Sequence, residues 1–519
     1  MSARVGHPED RPEIVARPDV VVAHPAPAWA RIGWGPRTLF LGGVAIAIWA
    51  AFVGAVQDPD YWWHLRVGEW ILANRRLPDH DIFTYTVSSH TWIDHEYLSE
   101  VLIALAHRAG GLALVSVAFG AVTWLGFLYI CRTSDVLRRP YVIAGLGIAL
   151  GALAGAPIWG PRAQMLTFFF SCVELYWLDG YLRGRSRTLT WLPLLVALWA
   201  NLHGGFVIAF IFLGAAIAAE AAGLAVHAGE ARRMEHRQRL QTLGRTFALC
   251  VVALLATPHG IKVYLNPLET LTSPAQRRLI VEWFSPDFHM LVMLPFLAMV
   301  VLLLAGFSLR RPTLYQFLLS AGTLALALES VRHVALFIAA STPVLIDVWS
   351  GAWADFRRER GWQLGSGSTS PLLRVATAVA LVAILGATGV RIGNNLVQQG
   401  VETRQQYPVA AADWLAAHPE IGTRMYNQYG WGGYLADRFY PDPNRRVFIF
   451  GEASVMGDSF LQQYQDVQTL RSDWRQVLDR YEVDYVVYNS GEALDNVLRG
   501  DPGWHEVYRD KVAVIYVRN

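Results

Sequence analysis

The 519 residues are 53% hydrophobic and 17% charged, with a mean hydropathy of +0.28, and many windows of bilayer-spanning length are nearly free of charge. That excludes a soluble globular domain and makes the chain a polytopic α-helical membrane protein. The formal net charge of +2 is too small to point to any partner, nucleic acid included, and the three cysteines (Cys131, Cys172, Cys250) lie in apolar runs, which excludes a disulfide framework or a cysteine metal site.

Met1 to Pro36 is Pro-rich and polar and lacks the apolar core and cleavage site of a secretory signal, so residues 1–36 read as a disordered cytoplasmic tail. Apolar windows then predict about eleven spans, near 38–56, 112–131, 141–158, 164–181, 188–200, 205–226, 244–258, 291–307, 314–331, 334–350 and 372–390. Arginines cluster in alternate loops: Arg132, Arg138 and Arg139; Arg183, Arg185 and Arg187; Arg232, Arg233, Arg237, Arg239 and Arg245; Arg310 and Arg311; Arg357, Arg358 and Arg360. The positive-inside rule places those loops in the cytoplasm. An odd span count sends residues 391–519 to the outer face, together with the loop 57–111, the turn Asn201 to Gly204, the loop Pro258 to Met290, and Arg332.

Within the first outer loop, Trp63, Val67, Trp70 and Ile71 repeat at helical spacing over Asp60 to Asn74, as do Leu98, Val101, Leu102 and Leu105 over Glu96 to Arg108. Both stretches read as amphipathic helices lying in the membrane interface, joined by an extended segment. Residues 37–390 thus form a transmembrane domain. In 391–519, β-forming runs at Arg446–Phe450, Asp484–Tyr488 and Val512–Val517 alternate with helical patterns near 408–417, 457–481 and 491–499, which predicts a small outer α/β domain.

Unusual polar residues collect on that outer face. Asp58 and Asp60 follow the first span directly, and His64 lies one helical turn after Asp60, on the same face, within reach to share a divalent cation such as Mg or Mn, or a proton. A carboxylate there is suited to holding a metal that bridges phosphate oxygens or to accepting the proton of an attacking hydroxyl; the bland reading is that both acids cap the interfacial helix. Asp94, His95 and Glu96 make a second cluster at the start of the second interfacial helix. Arg162, Arg332 and His333 sit at the outer ends of spans, where a guanidinium suits a phosphate or simply snorkels. Asn201 and His203 occupy a hairpin turn, Glu282 precedes Trp283 at the interface, and Trp62 and Trp63 offer aromatic faces beside carboxylates, a usual way to hold a sugar ring. A phosphate-binding Walker loop, a nucleophile elbow and a dinucleotide fingerprint are absent, which excludes ATP-driven transport and soluble-nucleotide chemistry.

The segments DPDYWWHLRVGEWI, LPDHDIFTYT and WIDHEYLSEVL, with RAQ, NLHGG, EWFSP and RH further on and YNQYGWGGYLADRFYP and RVFIFGEAS near the end, resemble an uncharacterised bacterial group of the C-type (GT-C) integral membrane glycosyltransferases. The chain departs from that group at Phe450-Gly451-Glu452, where the group often reads Asp-Gly-Arg. The resemblance implies a GT-C-like fold in the bacterial cytoplasmic membrane and transfer of a hexosyl or pentosyl group from a polyprenyl-phosphate-linked sugar to a glycan, lipid or protein acceptor at the outer face. It implies Asp60, then Asp58, as the catalytic acids. Three other readings stay open at this point: a transporter or flippase of a lipid-linked saccharide, which requires charges deep between the helices; a non-catalytic scaffold, which requires no cavity beside Asp60; and an enzyme that uses the same acids to transfer something other than sugar, such as a lipid phosphate group.

Overall fold

A run of helices carries the chain back and forth before a small mixed sheet closes it. The computed structural model describes residues 35–519 apart from 187, 228, 266–271 and 363–369, so the expected tail lies outside the described residues except for Gly35 and Pro36, as does Arg187. In chain order the helices are α1 (Pro36–Phe52), α2 (Tyr61–Asn74), α3 (Tyr97–Thr133), α4 (Tyr141–Ala154), α5 (Gln164–Leu182), α6 (Leu192–Ala200), α7 (Val207–Val226) and α8 (Glu230–Ala253). They continue with α9 (Pro274–Leu279), α10 (Leu294–Leu309), α11 (Leu314–Glu329), α12 (Val334–Glu359) and α13 (Pro371–Gln406).

Each of the eleven apolar segments falls on one of these helices, but their lengths differ. Five described helices are long and apolar enough to cross a membrane: Tyr97–Thr133, Gly204–Val226, Leu291–Leu309, Val331–Glu359 and Pro371–Gln406. Pro36–Phe52, Tyr141–Ala154 and Leu314–Glu329 are shorter apolar helices. The nine residues of α6 reach only about 14 Å, roughly half the hydrocarbon thickness, and α8 opens on a charged stretch before its apolar end. The protein is multi-pass, held by one apolar core that runs through the bundle and includes Phe168, Trp199, Phe212, Phe296 and Phe337.

Both helical patterns of the loop 57–111 are present as helices: α2 matches the first, and the second is the opening half of α3, which leaves helical geometry at Gly110 and Gly111 before continuing as a helix from Leu112. Gly111 has φ +61, a conformation that costs glycine little, and this lets the helix change direction at that point.

The C-terminal region begins while the chain is still helical, because α13 runs unbroken through residue 391 to Gln406. Beyond it come α14 (Val409–Ala417), β1 (Met425–Asn427), α15 (Gly432–Phe439), α16 (Ala453–Met456), α17 (Asp458–Gln468), α18 (Trp474–Arg480), β2 (Tyr485–Asn489), α19 (Ala493–Leu498), β3 (Trp504–Arg509) and β4 (Ala513–Arg518). The sheet order is β1-β2-β4-β3, with β1 and β2 parallel and the other pairs antiparallel. The helical pattern over 457–481 divides in two around Leu470, which has φ +53.

The run Arg446–Phe450 is not the expected strand. Val447 to Phe450 are fully buried, yet their backbone is satisfied elsewhere: Asn427 Oδ1 accepts from Phe448 N (2.8 Å) and Ile449 N (3.3 Å), Asn427 Nδ2 donates to Ile449 O (2.9 Å), and Val447 N donates to Phe83 O (3.2 Å). A single bridge from Val447 to Thr84 ties it to the first outer loop. That loop and the C-terminal region therefore share a second core, with Trp62 packed edge-on against Tyr407 and Tyr434 and Trp63 against Phe450.

Candidate active site

Asp60 occupies the start of α2, but its side chain does not cap that helix. Asp58 does the local work, since its Oδ1 accepts from Asp60 N at 3.0 Å. Asp60 Oδ1 accepts instead from Trp63 Nε1 at 3.0 Å, one turn along. Burial, then the neighbouring Asp58 charge, push the Asp60 carboxyl well above the usual carboxylate range, against the pull of the Trp63 N–H; Glu282 and Glu452 add to the rise. An acid in that state readily exchanges a proton near neutral pH.

A cavity of about 170 Å³ opens beside it, and Asp58, Trp63, His64, His95, Glu96, Arg162, His203, Glu282 and Arg332 line it with Asp60. Arg162 holds two of the acids in place: its Nε lies 3.1 Å from Asp58 Oδ2 and its Nη1 pairs with Glu282, 120 positions away. Arg162 and then Arg332 hold the Glu282 carboxyl below the usual range despite its burial. Arg332 pairs with no carboxylate among the described residues and stands over the Trp283 ring at 4.5 Å.

Opposite the arginines, Glu96 faces three imidazoles, with Nε2 of His64, His95 and His203 at 3.5, 3.4 and 3.5 Å. His203 is oriented from behind. Trp199 Nε1 donates to Thr167 Oγ1 (2.9 Å), and His203 Nδ1 receives both Gly205 N (2.9 Å) and the Thr167 hydroxyl (2.7 Å), which leaves the ring proton on Nε2, toward Glu96. Burial works against ionising Glu96, yet His203, His95 and His64 hold it well below the usual range. Burial would lower His95, but the hydrogen bond and charge of Glu96 lift it to about 9, while burial brings His203 down to about 4. The cluster thus holds a His95 imidazolium against the Glu96 carboxylate.

A second cavity of about 200 Å³ adjoins the first and shares His95, Glu96, Gln164, His203, Trp283 and Arg332 with it. Its other walls are mostly apolar, including Phe168, Val207, Ile208, Leu326 and Leu336, and it reaches Ile211, whose side chain is exposed on the outside of the bundle. His333 lines this second cavity and not the first.

Two expected site residues stand elsewhere. Asp94 is buried behind the cluster and accepts from Glu96 N at 3.2 Å, and Asn201 spends its side chain on Tyr97 OH (2.7 Å), Ala197 O (2.7 Å) and Ala256 O (3.0 Å). Trp62 also faces away from the cavity, into the second core. Both His64 nitrogens are directed at carboxylates at the start of α3, Glu100 at 3.1 Å and Glu96 at 3.5 Å.

Four residues at the site were not among those expected there. Glu100, fully buried, orients His64; Gln164 donates to Arg332 O at 2.7 Å; Gly451 and Glu452 come from the C-terminal region. A Cβ on Gly451 would overlap Asp60 Oδ1, so the absence of a side chain there is what lets the C-terminal region close on the acid. Glu100 had a signal, its i, i+4 spacing from Glu96 on one helical face; Gly451 and Glu452 had only their place in a conspicuous segment.

No family model matches the chain, and no curated protein matches it by sequence. Among solved structures, the archaeal oligosaccharyltransferase AglB from Archaeoglobus fulgidus, in complex with an inhibitory peptide and a dolichol-phosphate, superposes with a TM-score of 0.53 at 14% identity, over 87% of this chain and 69% of that one. ArnT from Cupriavidus metallidurans in the apo state gives 0.49 at 15% identity, over 92% and 97%, and the mycobacterial arabinofuranosyltransferase AftD gives 0.44 at 14%, over 93% and 40%. The chain is a multi-pass membrane protein with the fold of the C-type membrane glycosyltransferases, as its first-loop residues led one to expect.

Proposed function

We propose that the protein is a glycosyltransferase that moves a sugar from a polyprenyl-phosphate donor to a hydroxyl of a glycan, lipid or protein at the outer face of the bacterial cytoplasmic membrane, with the N-terminus inside and the C-terminal region outside. The observation that carries this reading is the pairing of cavities: a polar one containing Asp60 and an apolar one reaching the outside of the bundle, with Arg332 and His95 at their junction.

In this reading the prenyl chain occupies the apolar cavity and its phosphate lies between Arg332, Arg162 and the His95 imidazolium. The sugar extends toward Trp63. Asp60, ionised, takes the acceptor hydroxyl's proton as the oxygen attacks the anomeric carbon; the bond from that carbon to the phosphate oxygen breaks, and the phosphate leaves with the electron pair. Asp58, locked to Arg162, keeps Asp60's neighbourhood negative and so keeps its proton affinity high. A scaffold role is disfavoured by the cavity beside Asp60.

The test is Asp60→Asn in the full-length protein, assayed with a polyprenyl-phosphate sugar in detergent or vesicles. Transfer should fall about 10³-fold or more with unchanged thermal stability; a folded variant that retains activity would sink the assignment.

A further inference from the structure

Glu174 sits midway along α5 and is fully buried, and neither of its carboxyl oxygens has a hydrogen-bond partner among the described residues. An acid held at that depth in a membrane bundle without a partner is costly, and such groups belong to the paths by which protons or ions cross. The catalytic reading gives it no task.

Its surroundings continue the pattern in both directions. Toward the Asp60 end, Ser171 and Thr167 stand one and two turns before Glu174 on the same side of α5. The buried Ser171 hydroxyl is likewise without a partner among the described residues, although a serine inside a membrane helix ordinarily bonds back to the preceding turn. The Thr167 hydroxyl lies 2.7 Å from His203 Nδ1, and His203 Nε2 faces Glu96 in the polar cavity. Toward the other end, α11 brings in Tyr315, buried and with its hydroxyl unpartnered among the described residues, close enough to both Glu174 and Asp179 for their charges to act on it. Tyr315 and Asp179 line a cavity of about 620 Å³ at that end of the bundle, which by the arginine pattern faces the cytoplasm. Cys250 of α8 is the other titratable group within electrostatic reach of Glu174.

Polar side chains thus follow one another from the cytoplasmic cavity to the catalytic one. Along α5 the steps from Thr167 to Ser171, Glu174 and Asp179 are about 6, 4.5 and 7.5 Å, with Tyr315 beside the longest, and one water closes a gap of that size where unpaired oxygens stand at both ends.

We propose that this file conducts protons between the cytoplasmic cavity and the His203–Glu96 cluster, with Glu174 as the carrier. A proton from cytoplasmic water passes the Asp179–Tyr315 end and binds one Glu174 oxygen, while the other oxygen releases a proton toward Ser171. Thr167 takes that proton and gives its own to His203 Nδ1, and the proton on Nε2 leaves to water in the polar cavity; a half-turn of the ring resets it between passages. One proton enters for each that leaves, and only O–H and N–H bonds change. The outer end alone touches the site of the proposed function, and conduction requires neither sugar donor nor acceptor.

The test places the full-length protein in liposomes that enclose a pH-sensitive dye, with a potassium gradient and valinomycin driving protons inward and no sugar donor present. The wild type should raise proton influx about tenfold over protein-free liposomes, and Glu174→Gln should return it to the protein-free level. Wild-type influx equal to that of protein-free liposomes, or influx undiminished in Glu174→Gln, would overturn the proposal. Where Glu174→Gln does not fold, Ser171→Ala and Tyr315→Phe remove the flanking hydroxyls and should each cut influx about fivefold or more; unchanged influx in both overturns it as well. Since the flux is read without donor, its absence leaves the Asp60 assignment standing, and transfer that survives Asp60→Asn leaves the flux standing.

Discussion

Asp60, half-buried beside its cavity, and Asp495, fully buried, are acids in opposite conditions. Asp495, fully buried in the C-terminal region, receives Tyr516 OH (2.6 Å), Gly491 N (2.7 Å), two nitrogens of Arg509 (2.9 and 2.6 Å) and Arg499 (3.1 Å). Burial alone would raise it, but Arg509, Tyr516 and Gly491 hold it well below the usual carboxylate range. Asp60 receives one indole N–H and faces Asp58, Glu282 and Glu452. A carboxylate whose lone pairs are all taken holds a fold together, and one left hungry beside a cavity is free to take a proton from something that enters.

Substitutions at the two acids put this contrast at risk. The largest effect expected is that of Asp60→Asn on transfer, with stability untouched. Asp495→Asn should do the reverse, lowering stability by about 2–4 kcal/mol in chemical or thermal unfolding because Arg509 and Arg499 lose their counter-charge, while transfer per folded molecule stays near wild type. The pH dependence of that contribution follows from the depressed value: it is in place above about pH 4, the unfolded aspartate value, and is lost as pH falls through the lower folded value. Equal stability losses in the two variants would erase the distinction.

Gly451→Ala probes the same carboxylate from the other side of the cavity. Its Cβ would displace Asp60 Oδ1, and a shift of about 1 Å in a reacting group is expected to cost about 10²-fold in rate, read as a fall in kcat. The pH–rate profile gives a smaller signal. Because burial and Asp58 raise the Asp60 value, the base form is scarce in acid, so transfer should rise about tenfold per pH unit through the acid side and flatten only above the usual carboxylate range. Stability runs the other way for this group, since the folded state holds the extra proton and loses that advantage as pH rises. Asn201→Ala should show the least, about 1–2 kcal/mol of stability and unchanged transfer, as expected of a polar group whose bonds are already spent.

The membrane helices were legible because each depends on its own hydropathy: in hydrocarbon a segment must satisfy its backbone internally, so a spanning stretch declares itself. The two helices of the loop 57–111 were readable for a similar reason, from local apolar spacing, and the break at Gly110 and Gly111 falls where that spacing ends. Hydropathy said less about length, and α6 is too short to cross alone. It misled at Arg446–Phe450, where buried β-formers take their hydrogen bonds from Asn427 and Phe83.

Residue order alone was thus enough to specify a multi-pass helical protein and to single out most of the acids, histidines and arginines that line the cavity beside Asp60. Which of them meet was settled by the packed fold: Arg162 reaches both Asp58 and Glu282, three imidazoles enclose Glu96, Asn201, Asp94 and Trp62 turn away, and Gly451 and Glu452 arrive at Asp60 from the far end of the chain. The physical reason is range. Burial and helicity are settled within a few turns, whereas the proton affinity of a carboxylate depends on charges and desolvation brought in by distant segments, and no local pattern encodes those.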